Sequence, residues 1–109
     1  MAPKRASTAA FKKSEDWEEA ARMLKVVAHP VRLLILDALA EKSRCVMDLN
    51  SLIPIPQPHL SQHMAVLRKA ALVDSHKDGS LRCYYLLRPE LVRGTVKLLK
   101  RKHPIRKRD

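Results

Sequence analysis

The segment Ile55–Lys69 reads IPQPHLSQHMAVLRK and gathers hydrogen-bonding side chains into a run with helical spacing. On a wheel of about 100° per residue, Leu60, Met64, Leu67 and Ala71 fall close to one line, which must face a core. Gln62 then points almost directly away, with Pro58 and Ala65 beside it. Ser61 and His59 flank this outer face on opposite sides, and His63 lies nearer the apolar line. Near its start the outer face is small or hydrogen-bonding and carries no acid. Such a surface suits insertion between two walls of phosphate, where Gln pairs with an adenine edge and Ser donates to a phosphate or a base. The amides of a helix start add their own attraction for phosphate. Arg68 and Lys69 bring positive charge only at the far end. The competing reading is a solvated helix face, which would normally carry Glu and Lys in quantity.

The other reactive side chains are Cys45 and Cys83. Two cysteines do not make a disulfide scaffold, so a reducing compartment is the default and the chain reads as cytoplasmic. The pair is open to two readings: unrelated cysteines, one of them half-buried, or a thiol switch that answers a metalloid, a soft metal or an oxidant. His59 and His63, at i and i+4, both lie on the outer face, and no pair of the five histidines has a convincing ligand geometry. No nucleophile–base pair, metal set or phosphate loop appears, and the glycines are only Gly79 and Gly94, so an enzyme is not expected.

These residues need elements to hold them. Ser14-Glu15-Asp16, followed by Glu18 and Glu19, makes an acidic helix start with Ser14 as candidate cap. Trp17, Ala20, Ala21, Leu24 and Val27 continue at helical spacing. His29-Pro30 ends that helix and opens a second, whose stripe is Val31, Leu34, Ile35, Ala38 and Leu39. A short third helix covers 46–52, with Val46, Leu49 and Leu52 apolar. Ile53-Pro54-Ile55-Pro56 forces a tight turn, because residues before proline avoid the α region. The fourth helix begins near Gln57, with Pro58 tolerated in its first turn.

Asp78-Gly79 signals a hairpin whose second strand ends in CYYLL. Along that strand Tyr84 and Leu86 alternate with Cys83 and Tyr85; if the first pair faces the core, Cys83 is the more exposed. Arg88-Pro89-Glu90 starts a last helix to about Lys102, ended by Pro104. The order predicts a mainly α fold with a small β-hairpin, a winged helix-turn-helix of order α-α-α-α-β-β-α. In such a fold the segment before the third helix can lie beside the second wing strand, bringing Cys45 toward Cys83. Trp17, Leu24 and Val27 in the first helix exceed the needs of one small core, as do Leu91, Val92, Val96, Leu98 and Leu99 in the last. A homodimer through the first and last helices is therefore expected.

The 109 residues suffice for one small domain and carry a net charge of +11. Residues 1–13 hold Lys4, Arg5, Lys12 and Lys13 without an acid, for +4, and 94–109 hold seven Lys and Arg against Asp109, for +6. The stretch 14–93 holds eleven cations against ten acids, for +1. The organisation expected is a basic N-terminal arm (1–13), a folded body (14–103) and a basic C-terminal tail (104–109). No apolar run approaches a membrane span, so no membrane is expected among the partners. The start, MAPKRASTAAFKK, lacks the apolar middle of a secretory signal.

Taken in order, HPVRLLIL, CVMDLN, PQPHLSQHMAVLRKAALV and HKDGSLRCYYL resemble the ArsR (arsenical-repressor) family of winged-helix repressors, over roughly 17–102. The resemblance implies a homodimer formed by the first and last helices. It implies a fourth helix in the major groove of a double-stranded DNA operator, a wing near the flanking minor groove, and repression relieved by an inducer. Position by position, it assigns Gln57, His59, Ser61 and Gln62 to the DNA-contacting helix start, and Lys77 and Arg82 to the wing. His63 matches the family's Ser-x-His, where a structural hydrogen bond competes with a base contact.

The departures matter as much. Where many members carry Cys-Val-Cys-Asp-Leu, which binds trivalent arsenic, this chain has Cys45-Val46-Met47-Asp48-Leu49, and methionine is a poor substitute for thiolate. Arsenite or a soft metal ion is then an expectation only at Cys45 and Cys83. The last helix lacks the Asp/His sets by which relatives bind zinc or nickel. Pro56 stands where a capping Ser is usual, which puts the start of the fourth helix in question. The alternative readings are a winged-helix module for protein–protein association and a DNA-binding protein that senses nothing.

Overall fold

The computed structural model describes residues 14–107, so the N-terminal arm and the last two residues of the tail lie outside the described residues. Helix α1 (Ser14–Val27) has Glu15 and Asp16 in its first turn and Lys25 in its last, each at the end its charge favours. Helix α2 (Pro30–Glu41) is capped by His29, whose Nδ1 accepts the Val31 N–H at 3.1 Å. Pro30 fits the first helical position because no N–H is needed there. A two-residue strand, β1 (Arg44–Cys45), precedes α3 (Val46–Leu52), and after a turn rich in proline α4 runs over Gln57–Lys69. Strands β2 (Val73–Asp78) and β3 (Leu81–Leu86) form the wing, with Gly79 at φ +67° in its turn, and α5 (Pro89–Lys100) closes the fold.

The sheet has three strands rather than the two of the expected hairpin. Its order is β1-β3-β2, with Arg44 opposite Tyr84 and Cys45 opposite Cys83. A two-residue strand has no alternation for a sequence pattern to detect. Its pairing buries one flank of β3, so Cys83 is only 6% exposed, against the expectation that it would be the more exposed side. Tyr84 is buried as expected.

One apolar cluster joins Ile35, Leu36 and Leu39 of α2 to Leu49, Ile53, Leu60, Met64 and Leu67, with Val92 and Val96 closing it from α5. The stripe of α2 is displaced from the expected one: Leu36 is buried and Leu34 is about half exposed. Leu52 is also exposed. Val92 and Val96, expected at a dimer face, belong to the protomer's own core. Leu91, Leu98 and Leu99 remain exposed on α5, as do Trp17 and Leu24 on α1, which buries none of its residues fully. Helix α5 stops at Lys100, where the His103 ring lies 2.6 Å from the Leu98 carbonyl.

Helix α4 ends before Ala71, which therefore does not extend its core stripe. Ala71 N–H donates to the Arg68 carbonyl at 2.9 Å and Leu72 N–H to the Leu67 carbonyl at 3.1 Å, the paired bonds of a Schellman ending. That ending puts Ala71 at φ +59°, a left-handed position that glycine usually fills. No described helix is long and apolar enough to cross a membrane.

Candidate nucleic-acid interface

The helix-turn-helix is α3, the proline turn and α4. Asn50 holds the turn by donating from Nδ2 to the Ile55 carbonyl at 3.3 Å, while Ile53 plugs the core. Pro56 precedes α4 in extended conformation, and the helix starts at Gln57 without a side-chain cap. The absent Ser thus does not move the helix start. Leu60, Met64 and Leu67 are buried to 1% exposure or less, which fixes which side of α4 faces out. Gln57, His59, Ser61 and Gln62 are all exposed on the other side, and their side chains make no hydrogen bond within the described residues. The four residues expected at a base-reading surface are therefore on one face with their donors and acceptors open.

Four expected residues stand differently. The Arg68 guanidinium lies 3.4 Å from the Asp74 carboxylate, tying the end of α4 to β2 across a half-exposed pair. Lys77 and Arg82 face each other across the wing, and Arg82 donates to the Ser75 hydroxyl at 2.9 Å. Like charges directly opposite in a hairpin are unfavourable, so the wing carries these two cations at a cost to its own stability. His63 is half-buried and turned inward: its Nδ1 accepts from Arg32 Nε at 3.2 Å, and its ring is 4.5 Å from that of His29. It does not share the outer face with His59. Burial, with the nearby His29, Arg32 and His59, pushes the His63 imidazole below its ordinary 6.5.

Arg32 is the residue that sequence reasoning passed over. Its signal was present, as the one charged side chain in the apolar run VRLLIL. Cys45 and Cys83, left open between unrelated residues and a pair, are joined in a disulfide, and no described cysteine is free. Among the described residues no group of three His, Cys, Asp or Glu side chains could hold a metal ion.

Residues 29–75 match the sequence profile of the family described as "Bacterial regulatory protein, arsR family". The chain is 37% identical over 86 residues to an uncharacterized HTH-type transcriptional regulator of Methanocaldococcus jannaschii, covering 78% of this chain and 96% of that protein. Its structure is similar to that of HlyU from Vibrio cholerae, with 33% identity, a TM-score of 0.73, and coverage of 80% of this chain and 94% of the other. It is also similar to the transcriptional repressor BigR from Xylella fastidiosa, with 34% identity, a TM-score of 0.70, and coverage of 81% and 93%.

Proposed function

This chain belongs to the arsR family of bacterial regulatory proteins, and on that premise we propose that it is a dimeric, sequence-specific repressor that reads double-stranded DNA with α4. The observation that carries the reading is the division of α4 into a buried side and an open hydrogen-bonding side. Gln62, central on that side, is the base-reading residue; Gln57, His59 and Ser61 reach bases or phosphates beside it. Lys77 and Arg82 hold flanking phosphates from the wing, which is why their mutual repulsion is tolerated. Arg68, paired with Asp74, positions α4 against the wing more than it contacts DNA. Leu24 of α1 and Leu91, Leu98 and Leu99 of α5 stay exposed in the protomer and are apolar, which suits burial against a second copy. The basic ends supply long-range attraction. The working place of such a protein is the cytoplasm, and nothing in its chemistry calls for catalysis.

The Cys45–Cys83 bond is the element through which the repressor responds to its inducer. Closed, it pins the residue before α3 to the wing strand β3. A cellular dithiol opens it by exchange, passing two electrons and two protons to the pair and leaving its own sulfurs as a disulfide. The freed thiols, once deprotonated, are soft ligands for arsenite or a soft metal ion.

Selection of bound duplexes from a random DNA pool tests the main reading. The expected product is an inverted repeat with half-sites about one helical turn apart, the spacing a two-fold dimer imposes. Recovery of unrelated sequences, or of single half-sites by a monomer in sedimentation, refutes it.

A further inference from the structure

Three segments meet at Arg32. Its Nε donates to His63 Nδ1 at 3.2 Å, and a terminal nitrogen donates to the Val26 carbonyl at 3.1 Å. Val26 belongs to α1, Arg32 to the first turn of α2 and His63 to the middle of α4. His29, the cap of α2, sets its ring beside that of His63. All these groups are partly buried, and none of them lies on the open face of α4.

The hydrogen bonds fix the protons. Arginine has donors only, so His63 must offer a bare Nδ1 and carry its hydrogen on Nε2. His29 likewise needs a bare Nδ1 to accept the Val31 N–H. Protonating His63 would set an N–H against the guanidinium N–H. The charges acting on its ring come from Arg32 and His29 at the start of α2 and from His59 of its own helix, all positive when ionised; α1 adds the Val26 carbonyl through Arg32. Nothing in this set welcomes an imidazolium.

The apolar stripe of α4 decides which side is buried but tolerates a few degrees of roll, whereas a hydrogen bond of fixed direction does not. We propose that Arg32 and His63 are positioning residues that set the roll of α4 relative to α1, so that the geometry of the dimer helix is transmitted to the reading helix, and that protonation of His63 releases this setting. The inference rests on the reading of α4 given above, and its consequence is a repressor that loses discrimination in acid.

The test uses the full chain, the duplex selected from the random pool and a scrambled duplex of equal length, with affinities read by fluorescence anisotropy from pH 8 to pH 5. The ratio of the two affinities is the readout, because it cancels any change that acts on both complexes alike. For the unaltered chain the ratio should fall about tenfold as pH drops below about 6.5, a size usual for coupling within a protein. His63→Ala and Arg32→Gln should show the lowered ratio at every pH. His63→Asn, whose amide oxygen can accept from Arg32 but does not titrate, should restore much of the ratio and make it flat with pH. A normal ratio in His63→Ala or Arg32→Gln, or a pH dependence that survives in His63→Asn, overturns the proposal. Nitrogen NMR of the imidazoles decides the same link without DNA and without a variant. His63 should be the Nε2–H tautomer and titrate below an ordinary histidine; the opposite tautomer, or titration at or above 6.5, overturns it. If selection enriches no sequence, the reading of α4 falls while the NMR result still decides whether Arg32 holds His63.

Discussion

Reducing the Cys45–Cys83 bond opens a loop whose ends are 38 residues apart. Loop-closure entropy scales as about 2.1 + 1.5R ln n cal/mol/K, which for a loop of this length is about 13 cal/mol/K, or about 4 kcal/mol at 25 °C. A small domain has about 5–15 kcal/mol in total, so the reduced chain should remain folded with a much smaller margin. Taking a urea dependence of about 1.5 kcal/mol per molar, the unfolding midpoint should fall by about 2–3 M. The assay is urea titration followed by circular dichroism, with and without a dithiol reductant, free thiols being counted in each sample. The double variant Cys45→Ala/Cys83→Ala should unfold near the reduced midpoint and ignore the reductant. Strand β1 has only two residues, so reduction should also speed amide exchange at Arg44 and Cys45 before the rest of the sheet opens. Coincident urea curves for oxidised and fully reduced protein would refute the reasoning, because the entropy of a closed loop acts on the unfolded chain whatever the native packing.

Gln62→Ala should weaken the selected duplex by about 1–3 kcal/mol and relax base preference, whereas Lys77→Ala should weaken all sequences alike; competition against random duplex separates the two. Removing residues 1–13 and 104–109 should lower the dimer's slope of log affinity against log salt by roughly 2–5 units and leave base preference unchanged, since each neutralised phosphate contributes about 0.9. An unchanged slope in a salt titration would make the tails bystanders. Ala71→Gly should raise stability by about 0.5 kcal/mol, since it relieves about 1–2 kcal/mol of left-handed strain and gives back about 0.4–1 through the freer unfolded chain; thermal unfolding reads this as a rise of a few degrees. The His63 imidazole is held below 6.5 in the fold, so the unfolded chain takes up its proton first. Its contribution to stability is therefore complete above about 6.5 and is lost as pH falls through the lower folded value, an acid loss that thermal melts at stepped pH should find diminished in His63→Asn.

The helices were legible because each had punctuation as well as period. His29-Pro30, the prolines at 54, 56 and 58, and Arg88-Pro89 mark three of the helix starts, and α3 and α4 fall where the pattern put them. The open face of α4 followed from Leu60, Met64 and Leu67 alone. What stayed illegible depended on contacts between distant segments. Strand β1 exists only because β3 lies beside it, and the burial of Cys83 follows from that pairing. Leu34 and Leu36 are equally apolar, and tertiary contacts rather than residue type put Leu36 in the core and leave Leu34 half exposed. Ala71 fitted the apolar line but falls after the helix has turned. Arg32 and His63 are 31 residues apart, and no local pattern links an arginine to a histidine on another helix.

The charge pattern changes meaning once the elements are known. The stretch 14–93, which leaves out the basic end of α5, sums to about neutral and by itself gives DNA little to attract. Yet α1 carries Glu15, Asp16, Glu18 and Glu19 against Arg22 and Lys25, for −2, while 57–86 carries Arg68, Lys69, Lys77 and Arg82 against Asp74 and Asp78, for +2. Asp74 is paired with Arg68, which leaves the exposed Lys69, Lys77 and Arg82 against Asp78 on α4 and the wing. The neutral sum of 14–93 therefore hides two patches of opposite sign, negative on α1 and positive over α4 and the wing. At physiological salt the field of such a pair of patches reaches only about 8 Å, so it orients a protein already close to a duplex and cannot draw one in from afar. On the function proposed above, capture at a distance would fall to the tails, orientation to the wing and discrimination to Gln62, and the three can be removed one at a time.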